Sequence, residues 1–233
     1  MTLYLGKWKI MDSARVNCMT YFASMTPEDD VAESPNVDLL GRWSDVGNAS
    51  GSFVCRAKNY SDVASWLYNW VPMANIDIWP ICDDNTARKI ILNKAGSEPA
   101  YQVDYSHVSD EPLDDENLYK ITYKFFSDKK VTGNEVFANL LEEADKADAG
   151  NCRPLGRWHN LGNGSGMAIA AAKSEEDIYA WAFNWAGMCD CEIVPVLTDV
   201  QSRKIISSKP DFEQKLLKVK SSMEPPKVAI GCM

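Results

Sequence analysis

The 233-residue chain has none of the long apolar runs that mark a membrane protein. No stretch approaches the roughly 20 apolar residues that a membrane-spanning helix needs, so we expect no membrane partner. The first residues, Met1 to Trp8, lack the basic segment, apolar core and cleavage site of a secretory signal. We therefore expect a cytoplasmic protein, unless an import segment has been removed from it.

Positive charge is also scarce in this chain. Lysine and arginine total 24 against 33 aspartates and glutamates, which gives a formal net charge of −9. No cluster of basic residues interrupts this acidic character, and an acidic surface repels a phosphate backbone. The composition therefore predicts that nucleic acid is not a partner. The hydrophobic share of 45% and the charged share of 24% are typical of a folded globular protein.

Histidine and paired cysteine are too rare here for a metal centre or a disulfide framework. The seven cysteines, an odd number that favours reduced and unpaired thiols, are Cys18, Cys55, Cys82, Cys152, Cys189, Cys191 and Cys232. Cys189 and Cys191 could supply two thiolates to a metal, but a structural zinc site has four ligands. Only His107 and His159 are available to add to them. We therefore expect neither a metal nor a cofactor.

An internal duplication is the clearest feature that the sequence does have. With a shift of 115 residues, 22 of the 52 positions from Leu40 to Ile91 are identical to their partners. The matching segments are Leu40–Trp43 with Leu155–Trp158, Trp66, Asn69 and Trp70 with Trp181, Asn184 and Trp185, and Arg88–Ile91 with Arg203–Ile206. Two copies of this length indicate two homologous domains rather than a solenoid of short repeats.

Both copies predict the same order of elements, which is strand, helix, strand, strand, helix, strand. Alternating side chains predict strands at Leu3–Ile10, Val37–Trp43, Ser52–Ala57 and Ile76–Cys82, and at Leu118–Phe125, Pro154–Trp158, Met167–Ala172 and Cys191–Leu197. Apolar stripes at helical spacing predict helices through Val16, Met19, Phe22 and Ala23, through Val63, Trp66, Leu67 and Trp70, through Val136, Leu140, Leu141 and Ala144, and through Ile178, Trp181, Ala182 and Trp185. This order is that of the ferredoxin-like unit, an α+β fold.

The duplication also predicts how the domains pack. We expect ferredoxin-like domains at residues 1–92 and 117–208, joined by a linker at 93–116 and followed by a C-terminal helix and tail at 209–233. In such a domain, the two helices cover one face of the sheet and leave the other face bare. Two bare faces in one chain can be buried by packing sheet to sheet across a pseudo-twofold axis, enclosing a core or a cavity.

The second copy resembles a known family most closely in four segments. These are Leu155–His159, the glycine turn at 162–166, the helix with Trp181 and Trp185, and Glu192–Val196. Together they are similar to a family of domains of unknown function, DUF3303, whose members are similar to dimeric α/β-barrel proteins. The resemblance implies a pseudo-dimeric α/β barrel here, and it implies no reaction.

The first copy departs from that family pattern in three places. Ser44 stands where the pattern has histidine, Ala49 stands where it has glycine, and Trp79 lies in the last strand. Members of the family normally contain one domain per chain, whereas this chain carries two.

The candidate site residues lie on the strands around the two matching tryptophans. If Trp43 and Trp158 pack beneath the helices, alternation places Arg42, Arg157 and His159 toward the space between the sheets. The arginines then suit a clamp for an anionic ligand, and the alternative is a structural ion pair within each copy. His159 suits acid–base catalysis, and the alternative is a solvent-facing histidine on a turn.

Two asparagines complete the candidate set. Asn69 and Asn184 flank the tryptophan stripes and could bind a ligand, although a buried amide is more often satisfied by the protein backbone. The glycine turn at 162–166 lies between two strands, so it predicts a hairpin turn rather than a nucleotide site.

These observations favour a protein that binds a small, anionic organic molecule in a cavity between its two ferredoxin-like repeats. An alternative is a cofactor-free enzyme, an isomerase or monooxygenase-like protein, that uses the same cavity. A second alternative is a non-catalytic assembly or protein-interaction module. The chain is expected to act as a monomer with an internal pseudo-dimer, or as a homo-oligomer.

Overall fold

A computed structural model describes residues 1–103 and 111–223 of the chain. The expected extended tail with Cys232, and His107 within the expected linker, lie outside the described residues. The strands and helices of the described residues form two repeats with the same arrangement, as the duplication predicts.

The strands and helices follow the same order in both repeats. The first repeat contains β1 (Thr2–Ile10), α1 (Arg15–Ser24), α2 (Pro27–Glu33), β2 (Val37–Asp45), β3 (Ser50–Ala57), α3 (Tyr60–Tyr68), β4 (Ala74–Asp83) and α4 (Asp84–Lys94), with a 3-10 turn at Asp12–Ala14. The second repeat contains β5 (Asn117–Phe125), α5 (Lys130–Asn139), α6 (Glu142–Ala149), β6 (Arg153–Asn160), β7 (Ser165–Ala172), α7 (Glu175–Asn184), β8 (Cys189–Thr198) and α8 (Asp199–Ser207), and α9 (Phe212–Met223) follows it.

The eight strands close into one antiparallel barrel with the order β1-β3-β2-β8-β5-β7-β6-β4. Each repeat supplies four neighbouring strands, and only two short junctions join the repeats. Trp43 and Ser44 pair with Thr198 and Leu197 at one junction. At the other, Cys82 and Asp83 pair with His159 and Trp158. The prediction of two ferredoxin-like units packed sheet to sheet as a pseudo-dimeric α/β barrel is confirmed.

The interior of the barrel is a shared apolar core. Its buried members from both repeats are Leu5, Trp43, Val54, Ile81, Leu118, Leu155, Met167, Ile169, Ala171 and Val196. Trp43 and Trp158 meet there with ring centroids 5.6 Å apart. The expectation that these tryptophans lie beneath the helices is therefore wrong, and Arg42, Arg157 and His159 face the helices instead. Alternation shows which side chains share a face, but not which face the helices cover.

The helical layer differs from the sequence expectation in two ways. The single helix predicted after the first strand is two helices in each repeat. In the first repeat, Thr26 forms a capping box with Asp29 ahead of Pro27, which starts α2 as a separate helix. The apolar faces predicted for the helices after β1 and β5 are also partly wrong, because Val16 and Val136 are 51% and 40% exposed.

Helices α4 and α8 were not predicted from the sequence, although both begin at recognisable caps. Asp83 accepts a hydrogen bond from the backbone N–H of Thr86 at the start of α4. Thr198 and Gln201 form a capping box at the start of α8. Helix α4 of the first repeat packs on α5 of the second, and helix α8 of the second repeat packs on α1 of the first. The helix that follows the last strand of each repeat therefore covers the other repeat. This exchange positions the site described below.

The remaining sequence expectations can be compared directly with the fold. The glycine turn joins β6 to β7 as a hairpin, and Gly164 has the positive φ of 70° that such a turn needs. The six cysteines within the described residues are unpaired. In the predicted C-terminal helix, Phe212 is buried but Leu217 is 70% exposed. Across the described ranges, no helix has the length and apolar character to cross a membrane.

Candidate functional site

Two equivalent pockets lie between the outer faces of the sheets and the helices that cover them. The first pocket, between the first sheet and its helices, encloses about 680 Å³ including its open mouth. The second pocket, on the second sheet, encloses about 630 Å³ on the same measure. Arg42 lines the first pocket, whereas Arg157 and His159 line the second. The predicted arginines and histidine thus border cavities, but not the space inside the barrel.

A half-buried cluster of arginines and aspartates borders the first pocket and joins the two repeats. Arg42 donates from Nε to Asp199 at 2.9 Å and from Nη2 to Asp30 at 3.1 Å. Arg203 donates to the same Asp30 at 2.5 Å. Because Asp199 and Arg203 lie on α8, the second repeat completes the first repeat's cluster.

The second pocket has the equivalent cluster with the repeats exchanged. Arg157 donates to Asp84 at 2.5 Å and to Asp145 at 2.6 Å. Arg88 donates to Asp145 at 3.3 Å and to the carbonyl oxygen of Phe137 at 2.9 Å. Asp84 and Arg88 come from α4, and the others come from the second repeat. Arg42 and Arg157 therefore each pair with one aspartate of their own copy and one of the other copy, so the expected ion pair within each copy is only half of the arrangement.

The second pocket also contains a hydrogen-bonded relay of Tyr123, His159 and Asp84, which we call the relay. His159 Nε2 lies 2.5 Å from Asp84 Oδ1, and His159 Nδ1 lies 2.6 Å from the Tyr123 hydroxyl. His159 is only 4% exposed, and its ring packs against Phe137 with centroids 4.4 Å apart. The histidine is thus held on both sides and does not lie free on a turn.

The charge of Asp84 sets the direction of these hydrogen bonds. Burial raises the pKa of Asp84, but the Arg157 guanidinium and the hydrogen bond from His159 outweigh burial and hold that pKa well below its usual range. An ionised carboxylate only accepts hydrogen bonds, so His159 Nε2 carries the proton between them. In the neutral imidazole, Nδ1 then accepts the hydrogen bond that Tyr123 donates.

Tyr123 retains its proton at neutral pH. Burial and the nearby Asp84 carboxylate raise the pKa of this phenol far above its ordinary value. When the imidazole is neutral, the relay is a phenol that donates, an imidazole that accepts at Nδ1 and donates at Nε2, and a carboxylate that accepts. This is the order in which an imidazole can accept a proton and have its positive charge stabilised.

The first pocket lacks this relay, although the duplication keeps the carboxylate. The residues equivalent to Tyr123 and His159 are Trp8 and Ser44, which also line their pocket. Asp199 is equivalent to Asp84 and binds Arg42 there. Only one of the two pockets thus carries an imidazole and a phenol.

The other predicted site residues lie outside both pockets. Asn69 ends α3 and is exposed. Asn184 is also exposed, and its amide donates to the backbone oxygen of Asp148 at 3.1 Å.

Asp84 and Tyr123, in contrast, are not among the site residues that the sequence predicts. At the shift of 115 residues, Asp84 matches Asp199 and Asp30 matches Asp145. These two identities are the sequence feature that could have indicated the acidic partners of the arginines.

Comparison with known proteins identifies the family of the repeats. The model of a domain of unknown function, DUF3303, matches residues 2–95 and again residues 117–209. The resemblance seen in the sequence is confirmed. No curated protein matches the chain.

The solved structures that are similar to this chain have low sequence identity to it. A variant of DypB from Rhodococcus jostii in complex with heme has a TM-score of 0.53 at 9% identity, covering 89% of this chain and 95% of that chain. A protein of Fusobacterium nucleatum named as a candidate monooxygenase has 0.48 at 9% identity, with 84% and 91% covered. Chlorite dismutase from Candidatus Nitrospira defluvii has 0.46 at 10% identity, with 89% and 95% covered.

Proposed function

The chain belongs to the DUF3303 family through both of its repeats, and we propose that it binds a small organic molecule in its second pocket. The observation that carries this proposal is the relay on the wall of that pocket. A buried chain of phenol, imidazole and carboxylate is costly to desolvate, and such groups concentrate at functional sites. The first pocket supports the same inference, because the fold is maintained there without the phenol and the imidazole.

The walls of the second pocket define the class of ligand. Ile121, Phe125, Phe137 and Trp181 supply apolar surface, and the relay supplies the polar contact. The charges of Arg88 and Arg157 are balanced by those of Asp84 and Asp145. A neutral and mainly apolar molecule with one oxygen near the relay therefore suits this pocket better than the anionic ligand expected from the sequence.

The relay favours a second candidate function, which is proton transfer without a cofactor. As a bound molecule gives a proton to the Tyr123 oxygen, Tyr123 passes its own proton to His159 Nδ1. The imidazolium that results is stabilised by Asp84, and reversal of the steps returns the proton to the molecule. Removal and return of a proton at different atoms is an isomerisation.

Heme, which the DypB variant binds, does not suit the relay. His159 is the one histidine among residues 1–103 and 111–223, and both of its ring nitrogens are engaged by Tyr123 and Asp84. An axial imidazole needs a free nitrogen.

Exchange of carbon-bound protons in deuterated water tests this function. The probe is 2-tetralone, a neutral aromatic ketone with acidic protons beside its carbonyl, and NMR follows their loss. We expect the protein to accelerate exchange and the His159→Ser variant, which imports the first repeat's Ser44, to lower the rate by roughly 10²–10⁴-fold.

The matched control is Ser44→Ala, which alters the first pocket and should leave the exchange rate unchanged. Equal rates for the wild-type protein and His159→Ser would exclude proton transfer through the relay. Retention of 2-tetralone by the variant, measured separately by calorimetry, distinguishes loss of chemistry from loss of binding.

A further inference from the structure

A side-chain amide on α5 adds a polar group to the second pocket that neither the relay nor the charged cluster uses. Asn134 lines this pocket and is half-buried. Within the part of the chain that the structure describes, its amide forms no hydrogen bond, whereas Asn139 on the same helix donates to the backbone oxygen of Glu135 at 2.8 Å. The donors and the acceptor of the Asn134 amide are therefore available to a molecule in the pocket.

The helix places this amide close to the relay. Phe137 follows Asn134 by three residues on α5, so the two side chains lie on the same face of the helix and both line the pocket. The ring of Phe137 packs on His159 with centroids 4.4 Å apart. The amide thus lies roughly 5 Å along the helix axis, or about one turn, from the side chain that contacts the imidazole.

The residue before the asparagine brings the helix against the pocket wall. A β-carbon on Gly133 would lie 2.4 Å from the ring of Phe125, so glycine allows α5 to approach that ring. Phe125 also lines the pocket, and its ring centroid is 5.3 Å from that of Tyr123. Asn134 is therefore held over an apolar wall that leads to the phenol of the relay.

The duplication shows that the fold does not require an amide at this position. Helix α1 covers Arg15–Ser24 and α5 covers Lys130–Asn139, which is the same length at the shift of 115 residues. The residue equivalent to Asn134 is Met19, and it lines the first pocket. The pocket with the relay thus has asparagine, and the pocket without the relay has methionine.

We propose that Asn134 is a specificity-determining residue of the second pocket, whose amide binds a hydroxyl group of the ligand. This inference rests on the proposed function, because it concerns the same bound molecule. An amide can donate to a hydroxyl group and also accept from it, whereas a ketone or an ether oxygen only accepts. The ligand class is then a neutral hydroxyketone, with its carbonyl at the relay, its hydroxyl at Asn134 and an apolar body between them.

Calorimetry on the full chain tests this inference with 2-tetralone and the four isomers that carry one hydroxyl on its aromatic ring. These probes share the ketone and the apolar body, and they differ in whether and where a hydroxyl is presented. We expect at least one isomer to bind the wild-type protein roughly 3–10-fold more tightly than 2-tetralone, which is the effect of one hydrogen bond. In Asn134→Met, which imports Met19 of the first repeat, that advantage should disappear.

The matched control is Asn139→Met, which makes the same change at an exposed position of the same helix and should keep the advantage of the hydroxyl. Circular dichroism checks that each variant folds. If Asn134→Met does not fold, the side-chain amide signals of Asn134 in NMR spectra of the wild-type protein decide. The tighter isomer should shift these signals more than 2-tetralone does, and equal shifts would overturn the inference.

The outcomes separate this inference from the proposed function. If 2-tetralone binds but no hydroxylated isomer binds more tightly, the role given to Asn134 is wrong and the proposed function stands. The same holds if the advantage of the hydroxyl persists in Asn134→Met, or if Asn139→Met abolishes it equally. If none of the ketones binds, the proposed function fails and this inference fails with it.

Discussion

Among single residues, the buried charges of the second cluster have the largest energetic consequences. Asp84 and Asp145 are 1% and 8% exposed, and Arg157 contacts both carboxylates. Such pairs repay their desolvation only while every partner is present. The cluster therefore stabilises the contact between the repeats and also holds Asp84 against His159.

Replacement of Arg157 with methionine tests this view of the cluster. Arg157→Met keeps most of the side-chain volume but leaves Asp84 and Asp145 undercompensated, so we expect the free energy of unfolding to fall by about 3–5 kcal/mol. Arg56→Met is the matched control, because its ion pair with Asp38 is about half exposed. That control should cost no more than about 1 kcal/mol in urea unfolding. Equal effects of the two substitutions would contradict the stabilising role given to the Arg157 ion pairs.

The low pKa of Asp84 predicts a dependence of stability on pH. A carboxyl group with a lowered pKa in the folded state adds stability above its unfolded pKa of about 3.9, and that stability is lost as pH falls toward the folded pKa. We therefore expect the free energy of unfolding to decrease as the pH falls below about 4. Asp84→Asn should be less stable at pH 7 and should show a shallower decrease in urea titrations from pH 7 to pH 3. An identical slope in both proteins would contradict the role given to Asp84.

At the level of elements, strands β2 and β6 each contain a bulge shortly before the tryptophan that packs in the barrel core. Each strand shifts register just before a glycine, between Leu39 and Gly41 and between Pro154 and Gly156. In each strand, the indole ring of the tryptophan two residues after the glycine lies over that glycine, Trp43 over Gly41 and Trp158 over Gly156. A β-carbon on Gly156 would lie 2.3 Å from the ring of Trp158. Glycine at this position therefore determines how closely the ring can pack.

Gly156→Ala is expected to destabilise the protein by roughly 1–3 kcal/mol, because the ring is confined by the barrel core and must shift. Gly187→Ala provides the control, since a β-carbon there meets nothing within 4 Å. Thermal unfolding of both variants measures the difference. If Gly156→Ala melts with the wild-type protein, the indole ring is not confined as described.

The strands and three pocket residues, Arg42, Arg157 and His159, could be predicted from the sequence, whereas the position of the pockets and the partners of these residues could not. Agreement between the two copies strengthens each strand prediction, because the same alternating pattern occurs twice at a fixed shift of 115 residues. The clusters depend on contacts between distant positions, such as Arg42 with Asp199, which are 157 residues apart. No local periodicity indicates that α4 and α8 pack on the opposite repeat. The relay was missed for the same reason, since Asp84 reaches His159 only through that exchange.

At the level of the whole molecule, the duplication has produced two pockets with different chemistry. The exchange of α4 and α8 makes each pocket depend on both repeats, so neither cluster is complete in one repeat alone. Within this shared frame, the first pocket has Trp8 and Ser44 where the second has Tyr123 and His159. We propose that the natural ligand occupies the second pocket only.

Native mass spectrometry of the protein purified from its own source tests that claim most directly, with Ala182→Leu as the decisive variant. Ala182 lines the second pocket, and leucine is the first repeat's residue there, Leu67. Ala180→Leu makes the same change on the exposed face of α7 and serves as the control. We predict one small molecule per chain in the wild-type protein and the control, and none in Ala182→Leu. Two molecules per chain, or retention by Ala182→Leu, would contradict the account.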